Sequence, residues 1–108
     1  MNQITVVELS AMLSGGRPPL VLDVRESWEL EVARLQNTLD IPMQQIPEHL
    51  DAIRDQLADR DLIVMCHSGG RSAMIVQFLA QNGFDKAFNL TGGIQAWSEQ
   101  VDSTIPTY

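Results

Sequence analysis

The chain has 108 residues and a formal net charge of −7. That length makes one domain, residues 1–108, with no room for a second core, and 44% apolar against 19% charged residues excludes a disordered tail. A single Cys excludes a disulfide scaffold or a thiol-rich metal site, and the acidic balance argues against nucleic acid and anionic membrane as partners.

In chain order, Met1–Thr5 has neither a basic flank nor an apolar core, so it does not read as a signal peptide. Ile4 is a candidate edge strand. Thr5 and Glu8 stand at capping-box spacing, with Val6, Leu9, Met12 and Leu13 on one helical face and Gly15 and Gly16 as its stop. Leu20–Val24 is a nearly continuous apolar run, the pattern of a strand covered on both faces. Glu26–Val32 reads as a short helix and Thr38–Ile41 as a weak strand. Pro47 suits a first helical turn, and Ile46, Leu50, Ile53 and Leu57 then form one stripe opposite Glu48, Asp51, Arg54 and Asp55. Leu62–Cys66 is a second buried strand. Ser72–Asn82 is apolar almost all round, so it is expected deep against the sheet, ending at Gly83 with Phe84 folded back on it. Ala87–Leu90 is a weaker strand, and Ile94–Trp97 belongs to a last helix. Asp102–Tyr108, with Pro106, reads as a tail whose packing the pattern leaves open.

Strands alternating with helices give an α/β class: a central, mainly parallel sheet of four to five strands with helices on both faces. No apolar run reaches the length of a bilayer span, so the expected location is the cytoplasm, with no membrane partner and Cys66 reduced. A monomer is the simplest expectation.

In open α/β sheets ligands gather at the carboxyl ends of the strands. Asp23-Val24-Arg25-Glu26, Cys66-His67-Ser68-Gly69-Gly70-Arg71-Ser72 and Leu90-Thr91-Gly92-Gly93 all fall there. A Cys after Ile63-Val64-Met65, taken alone, reads as a small core hydrophobe. Here Gly69 and Gly70 permit unusual backbone angles, and a helix starts near Ser72. A strand, a tight loop and a helix N-terminus aim several backbone N–H groups at one point. A sulfur there is favoured as thiolate, with its pKa below the free value of about 8.5. Arg71 adds a fixed positive charge, and His67 adds another according to pH. The G-x-S-x-G elbow of serine hydrolases is absent, and no Lys follows Gly70 as a nucleotide P-loop requires.

These residues strongly resemble the rhodanese homology domain in its small single-domain sulfurtransferase form. Cys66–Ser72 resembles that family's active-site loop, C-x-x-G-x-R-S. Asp23–Glu26 resembles its D-V-R-E motif, and Leu90–Trp97 its L-x-G-G-[WFI]-x-A-W motif; Trp28-Glu29 and Ile41-Pro42 fit its middle section. The chain departs from the pattern between them: Arg34 stands where His is common, and Gln36, Asn37 and Thr38 where small residues and Gly are common. The resemblance implies a small rhodanese-like fold and a Cys66 thiolate that attacks the outer sulfur of a small anionic donor such as thiosulfate. Sulfite leaves, and the Cys66 persulfide passes its sulfur to cyanide, a thiol or another protein. No metal and no organic cofactor is needed.

The loop amides from His67 to Ser72 are then expected to hold the anionic sulfur, making His67, Ser68, Gly69, Gly70, Arg71 and Ser72 the substrate-binding set. Arg71 either grips the donor or turns inward to brace the loop; the sequence leaves both open. Asp23 and Arg25 are expected to brace the site, Gly92 and Gly93 to turn the chain tightly beside it, and Trp28 and Trp97 to pack. Residues 26–61 hold nine acids against three Arg, whereas residues 66–93 hold Arg71 and Lys86 against Asp85. The loop is thus a favourable spot on a chain whose far field repels anions, and modest affinity for dianions is expected. The rival readings are a persulfide carrier or redox-sensing partner protein, and a Cys-dependent phosphatase. The loop from Cys66 to Arg71 has six residues, one fewer than in the phosphatase branch that shares the fold, which favours sulfur over phosphorus.

Overall fold

The computed structural model describes residues 2–108. Five parallel strands, β1 (Gln3–Ile4), β2 (Leu20–Asp23), β3 (Leu39–Asp40), β4 (Leu62–Met65) and β5 (Ala87–Leu90), lie in the order β1-β5-β4-β2-β3. The α-helices are α1 (Val6–Leu13), α2 (Ser27–Val32), α3 (Leu50–Leu57), α4 (Gly70–Gln81) and α5 (Gly93–Gln100). In β4, Leu62 and Val64 face one way with Cys66 after them, into a core shared with Ile53, Ile75, Val76 and Leu79 of α3 and α4. Ile63 and Met65 face the other way, against Val6, Leu9, Ile94 and Trp97 of α1 and α5. Both faces are covered, which is why the strand is apolar without alternation. Each buried Val, Leu, Ile or Met among these contributes up to about 1.5–3 kcal/mol relative to exposure.

Register sets the site. Asp23 is paired with Met65 and Val64 with Asn89, so the carboxyl ends of β2, β4 and β5 finish at one rim. The residues after them, Val24, Cys66 and Thr91, open the three loops that the sequence singles out.

Several local expectations hold for the stated reasons. Thr5 and Glu8 form a reciprocal capping box. Gly83 takes φ +88, and Gly83 and Phe84 donate back to Ala80 and Leu79, a Schellman stop with Phe84 buried. Others are corrected. Helix α1 ends at Leu13 with Ser14 as its cap, and neither Gly15 nor Gly16 is left-handed. Pro47 lies inside a 3-10 stretch, Met43–His49, and regular α-helix begins three residues after it. Helix α4 starts at Gly70, not Ser72, and is not buried all round, since Met74 is 60% exposed. Trp97 packs in the core as expected, and Trp28, 59% exposed, packs at the surface, edge-on to Tyr108.

The segment from Arg34 to Asp40 has its own geometry. Asn37 is left-handed (φ +63), a conformation Asn tolerates where a small residue or Gly is common. Arg34 pairs with Asp40 at 2.6 Å, and the Thr38 hydroxyl donates to the same carboxylate at 2.6 Å.

Candidate active site

Cys66 follows the last residue of β4 and lies under the N-terminus of α4, with only 1% of its surface exposed. Gly69 takes φ +114, and this turn brings its N–H onto Cys66 Sγ at 3.1 Å. Gly70, by contrast, is an ordinary first helical residue with open space beside its Cα, so it needs no glycine for conformation.

The loop is fastened from the far side by α5. Ile94 donates to Cys66 O and Gln95 to His67 O, each at 3.0 Å. In a trans peptide the N–H points opposite to the C=O, so tying these carbonyls to α5 turns the following amides away from it. Gly93 makes this approach possible: a Cβ there would lie 2.5 Å from both carbonyl oxygens.

Ser72, fully buried, shares the single proton of its hydroxyl between Cys66 Sγ at 3.3 Å and Asn89 Oδ1 at 2.6 Å. Asn89 in turn donates through Nδ2 to Gly69 O at 3.3 Å. Burial pushes the Cys66 thiol pKa up; the Ser72 hydroxyl and the backbone N–H groups of Ser72, Gly69 and Ser68 pull it down, and the net lies below the ordinary thiol value. The cup that favours the thiolate is therefore made of dipoles.

Arg71 makes no hydrogen bond to the sulfur and is engaged by α2. Its Nη1 and Nη2 donate to Glu29 Oε1 and Oε2 at 2.6 and 2.8 Å, a bidentate pair joining α4 to α2. Glu29 also accepts from the Tyr108 hydroxyl at 2.6 Å. Its carboxyl is lowered to about 2, chiefly by Arg71 and then by Tyr108 and the Glu26 amide, against the opposing effect of burial.

Asp23 and Arg25 form a second, wholly buried pair. Arg25 Nε and Nη2 reach the Asp23 carboxylate, and its other donors reach Ala33 O, Glu29 O and Tyr108 Oη. Burial works against its charge, but Asp23 and Tyr108 outweigh it and the Arg25 pKa is raised. This pair ties β2 to α2 and makes none of the hydrogen bonds to Cys66.

Three residues at the site were not singled out by sequence as participants: Glu29, Asn89 and Tyr108. Asn89 had a signal, a lone amide in the apolar strand Ala87-Phe88-Asn89-Leu90. Glu29 appeared only as part of the Trp28-Glu29 match, and Tyr108 carried no signal, because its partners are remote in the chain.

The family model for the rhodanese-like domain matches residues 5–100. The chain belongs to the rhodanese-like family. A rhodanese-like domain protein of Staphylococcus aureus superposes with a TM-score of 0.84 at 32% identity, covering 100% of this chain and 99% of that one. A protein of Allochromatium vinosum named a sulfurtransferase is 34% identical over 91% of this chain and 89% of its own length. A Zea mays protein named adenylyltransferase and sulfurtransferase MOCS3-2 is 34% identical over 98% of this chain. This chain spans only 23% of that longer relative. Among the described residues no helix is long and apolar enough to cross a membrane, and no cluster of three His, Cys, Asp or Glu is placed to hold a metal ion.

Proposed function

We propose that this rhodanese-like domain is a sulfurtransferase that carries one sulfane sulfur on Cys66. The observation that carries the reading is the Gly69 N–H directed at Sγ at the foot of the 12-residue helix α4. Donors aimed at this atom favour an anion on it, the thiolate that starts the transfer. The sulfurtransferase names of the relatives in Allochromatium vinosum and Zea mays support the same chemistry.

With thiosulfate as donor, Sγ attacks the outer sulfur. A new S–S bond of about 2.05 Å forms, the donor S–S bond breaks, and sulfite leaves with the electron pair. The Sγ electron pair enters the new bond, the outer sulfur keeps the negative charge it carried in thiosulfate, and sulfite departs as a dianion. At 1% exposure Cys66 accepts only a slim electrophile, and the persulfide then presents its sulfur about 2 Å nearer the mouth. A cyanide ion, a small thiolate or a thiolate of another protein attacks it there and restores Cys66. These are two half-reactions, so ping-pong kinetics are expected. The net charge of −7 keeps thiosulfate affinity modest, and a submicromolar KM would contradict this.

A phosphatase reading is disfavoured by the occupation of Arg71. Both of its terminal nitrogens donate to Glu29, so gripping a phosphoryl group would compete with that bidentate pair.

The test is intact mass after treatment with thiosulfate and, separately, with a small persulfide. A gain of one sulfur atom is expected, absent in Cys66→Ser and discharged by cyanide as thiocyanate. No adduct with either donor refutes the proposal.

A further inference from the structure

Tyr108 is 83 residues from Arg25 in the chain, yet its side chain sits among the groups that fix the Cys66 loop. Its hydroxyl accepts from Arg25 Nη1 at 3.0 Å and donates to Glu29 Oε2 at 2.6 Å. One phenol oxygen thus joins the Asp23–Arg25 pair to the Glu29–Arg71 pair. The ring stacks on the imidazole of His67, the residue next to Cys66, with centroids 4.0 Å apart and planes 13° from parallel. Trp28 meets the ring edge-on at 5.9 Å. His67 Nε2 is buried without a hydrogen-bond partner, so the stack is what the structure offers to hold that ring.

We propose that Tyr108 is a positioning residue of the Cys66 loop: its ring clamps His67 while its hydroxyl locks Arg25 and Glu29, and so Arg71, in place. The proposal deepens the sulfurtransferase reading and rests on it. Two ends of the loop are then fixed by one side chain. His67 is held directly, and Arg71 is held through Glu29, which accepts from both Arg71 and Tyr108. Of the amides that face Sγ, those of Ser68 and Gly69 lie between these two ends and that of Ser72 follows directly after Arg71. Burial and the hydrogen bond to Glu29 raise the Tyr108 pKa despite Arg25, so the hydroxyl keeps the proton it donates across the working pH range.

The charged and titratable groups around Cys66 are Arg71 of α4, Glu29 of α2, the Asp23–Arg25 pair after β2, His67 of the loop and Tyr108; Asn89 on β5 is neutral. All the pairs among them stay intact in Tyr108→Phe apart from the hydroxyl's own two bonds. The experiment is the pH dependence of Cys66 alkylation by iodoacetamide in the wild type, Tyr108→Phe and Tyr108→Ala, with folding checked by circular dichroism at the assay temperature. Loosening the loop withdraws amides from the thiolate and opens the mouth. Tyr108→Ala is therefore expected to move the alkylation midpoint to higher pH and slow alkylation at pH 6 by threefold or more. The limiting rate at high pH should rise. Tyr108→Phe, which keeps the stack, should recover at least half of the loss at pH 6. In the wild type the His67 ring protons should also be shielded in the NMR spectrum by the stacked phenol, and Tyr108→Phe should keep that shielding.

A folded Tyr108→Ala with wild-type midpoint and limiting rate overturns the proposal. If that variant does not fold, Tyr108→Phe decides: a midpoint and limiting rate both equal to wild type, with unshielded His67 protons in the wild type, overturn it equally. Alkylation requires no sulfur donor, so this result stands apart from whether Cys66 accepts sulfur. Persulfide mass on the same variants reads the parent reading separately.

Discussion

Glu29→Gln removes the charge that Arg71 and Tyr108 share while nearly preserving shape. The Glu29 side chain is 4% exposed and that of Arg71 34% exposed. The Glu29 carboxyl is lowered from 4.5 to about 2, with Arg71 the leading cause. That gap corresponds to about 3 kcal/mol of stability carried by the ionised form. Arg71 is one-third exposed, so water screens part of the interaction, and about 2 kcal/mol remains. For a domain of this size the loss is about 10 °C in Tm. The sign of the pH dependence follows from a folded pKa below the unfolded one. The contribution is fully present well above pH 4.5 and is lost as the pH falls toward 2. Gln does not titrate, so the stability gap between wild type and Glu29→Gln should be flat from pH 8 to pH 6. It should then shrink below about pH 5, with a slope no steeper than about 1.4 kcal/mol per pH unit. Urea unfolding of both proteins at pH 7, 5, 4 and 3 reads it, because the other acids cancel in the difference. A gap equal at pH 7 and pH 3, or none at pH 7, would refute the reasoning.

Ser72→Ala should move the Cys66 alkylation midpoint up by about one pH unit, the low end of what a hydrogen bond to a charge provides, because Ser72 is shared with Asn89; an unchanged midpoint would show that the amides alone hold the thiolate. Gly93→Ala sets a methyl against Cys66 O and His67 O at φ +58; a Tm drop of at least 10 °C is expected, since backbone must move rather than a flexible side chain, and a loss under 2 °C counts against the close approach. Arg71→Ala should lower kcat/KM for thiosulfate and for a neutral persulfide donor by similar factors, as Arg71 is engaged with Glu29; a loss confined to the anionic donor would mean that Arg71 swings over Cys66 during turnover.

What was legible in the sequence was whatever depends on neighbours in the chain. The apolar run Leu62–Cys66 announces a strand covered on both faces, and the Cys66–Ser72 loop announces a nest, because both patterns are local. Gly93 looked like a tight turn, but its reason, two carbonyl oxygens of another loop within 2.5 Å of a Cβ, exists only after the sheet forms. Residue type did not separate Gly69 from Gly70, although only Gly69 takes a positive φ. The sequence left Arg71 with two roles, since its partner Glu29 lies 42 residues away. Asn89 and Tyr108 depend on the same folding of remote segments onto one rim.

The pairing of Arg71 has a consequence for the proposed chemistry. A free guanidinium above Cys66 would bind thiosulfate well, but it would bind the departing sulfite just as well, since both are dianions of similar size. A contact made equally to the donor and to the departing product speeds transfer only if it strengthens in the transition state. Amide dipoles and the Ser72 hydroxyl reach only the atom at the floor of the cup. They stabilise charge on Sγ before attack, and none of these contacts is made to sulfite once the S–S bond has broken. With Arg71 engaged by Glu29, the proposed chemistry rests on dipoles that favour the thiolate and on no free cation that would retain sulfite. It follows that sulfite should be a weak product inhibitor, with an inhibition constant no lower than the KM of thiosulfate.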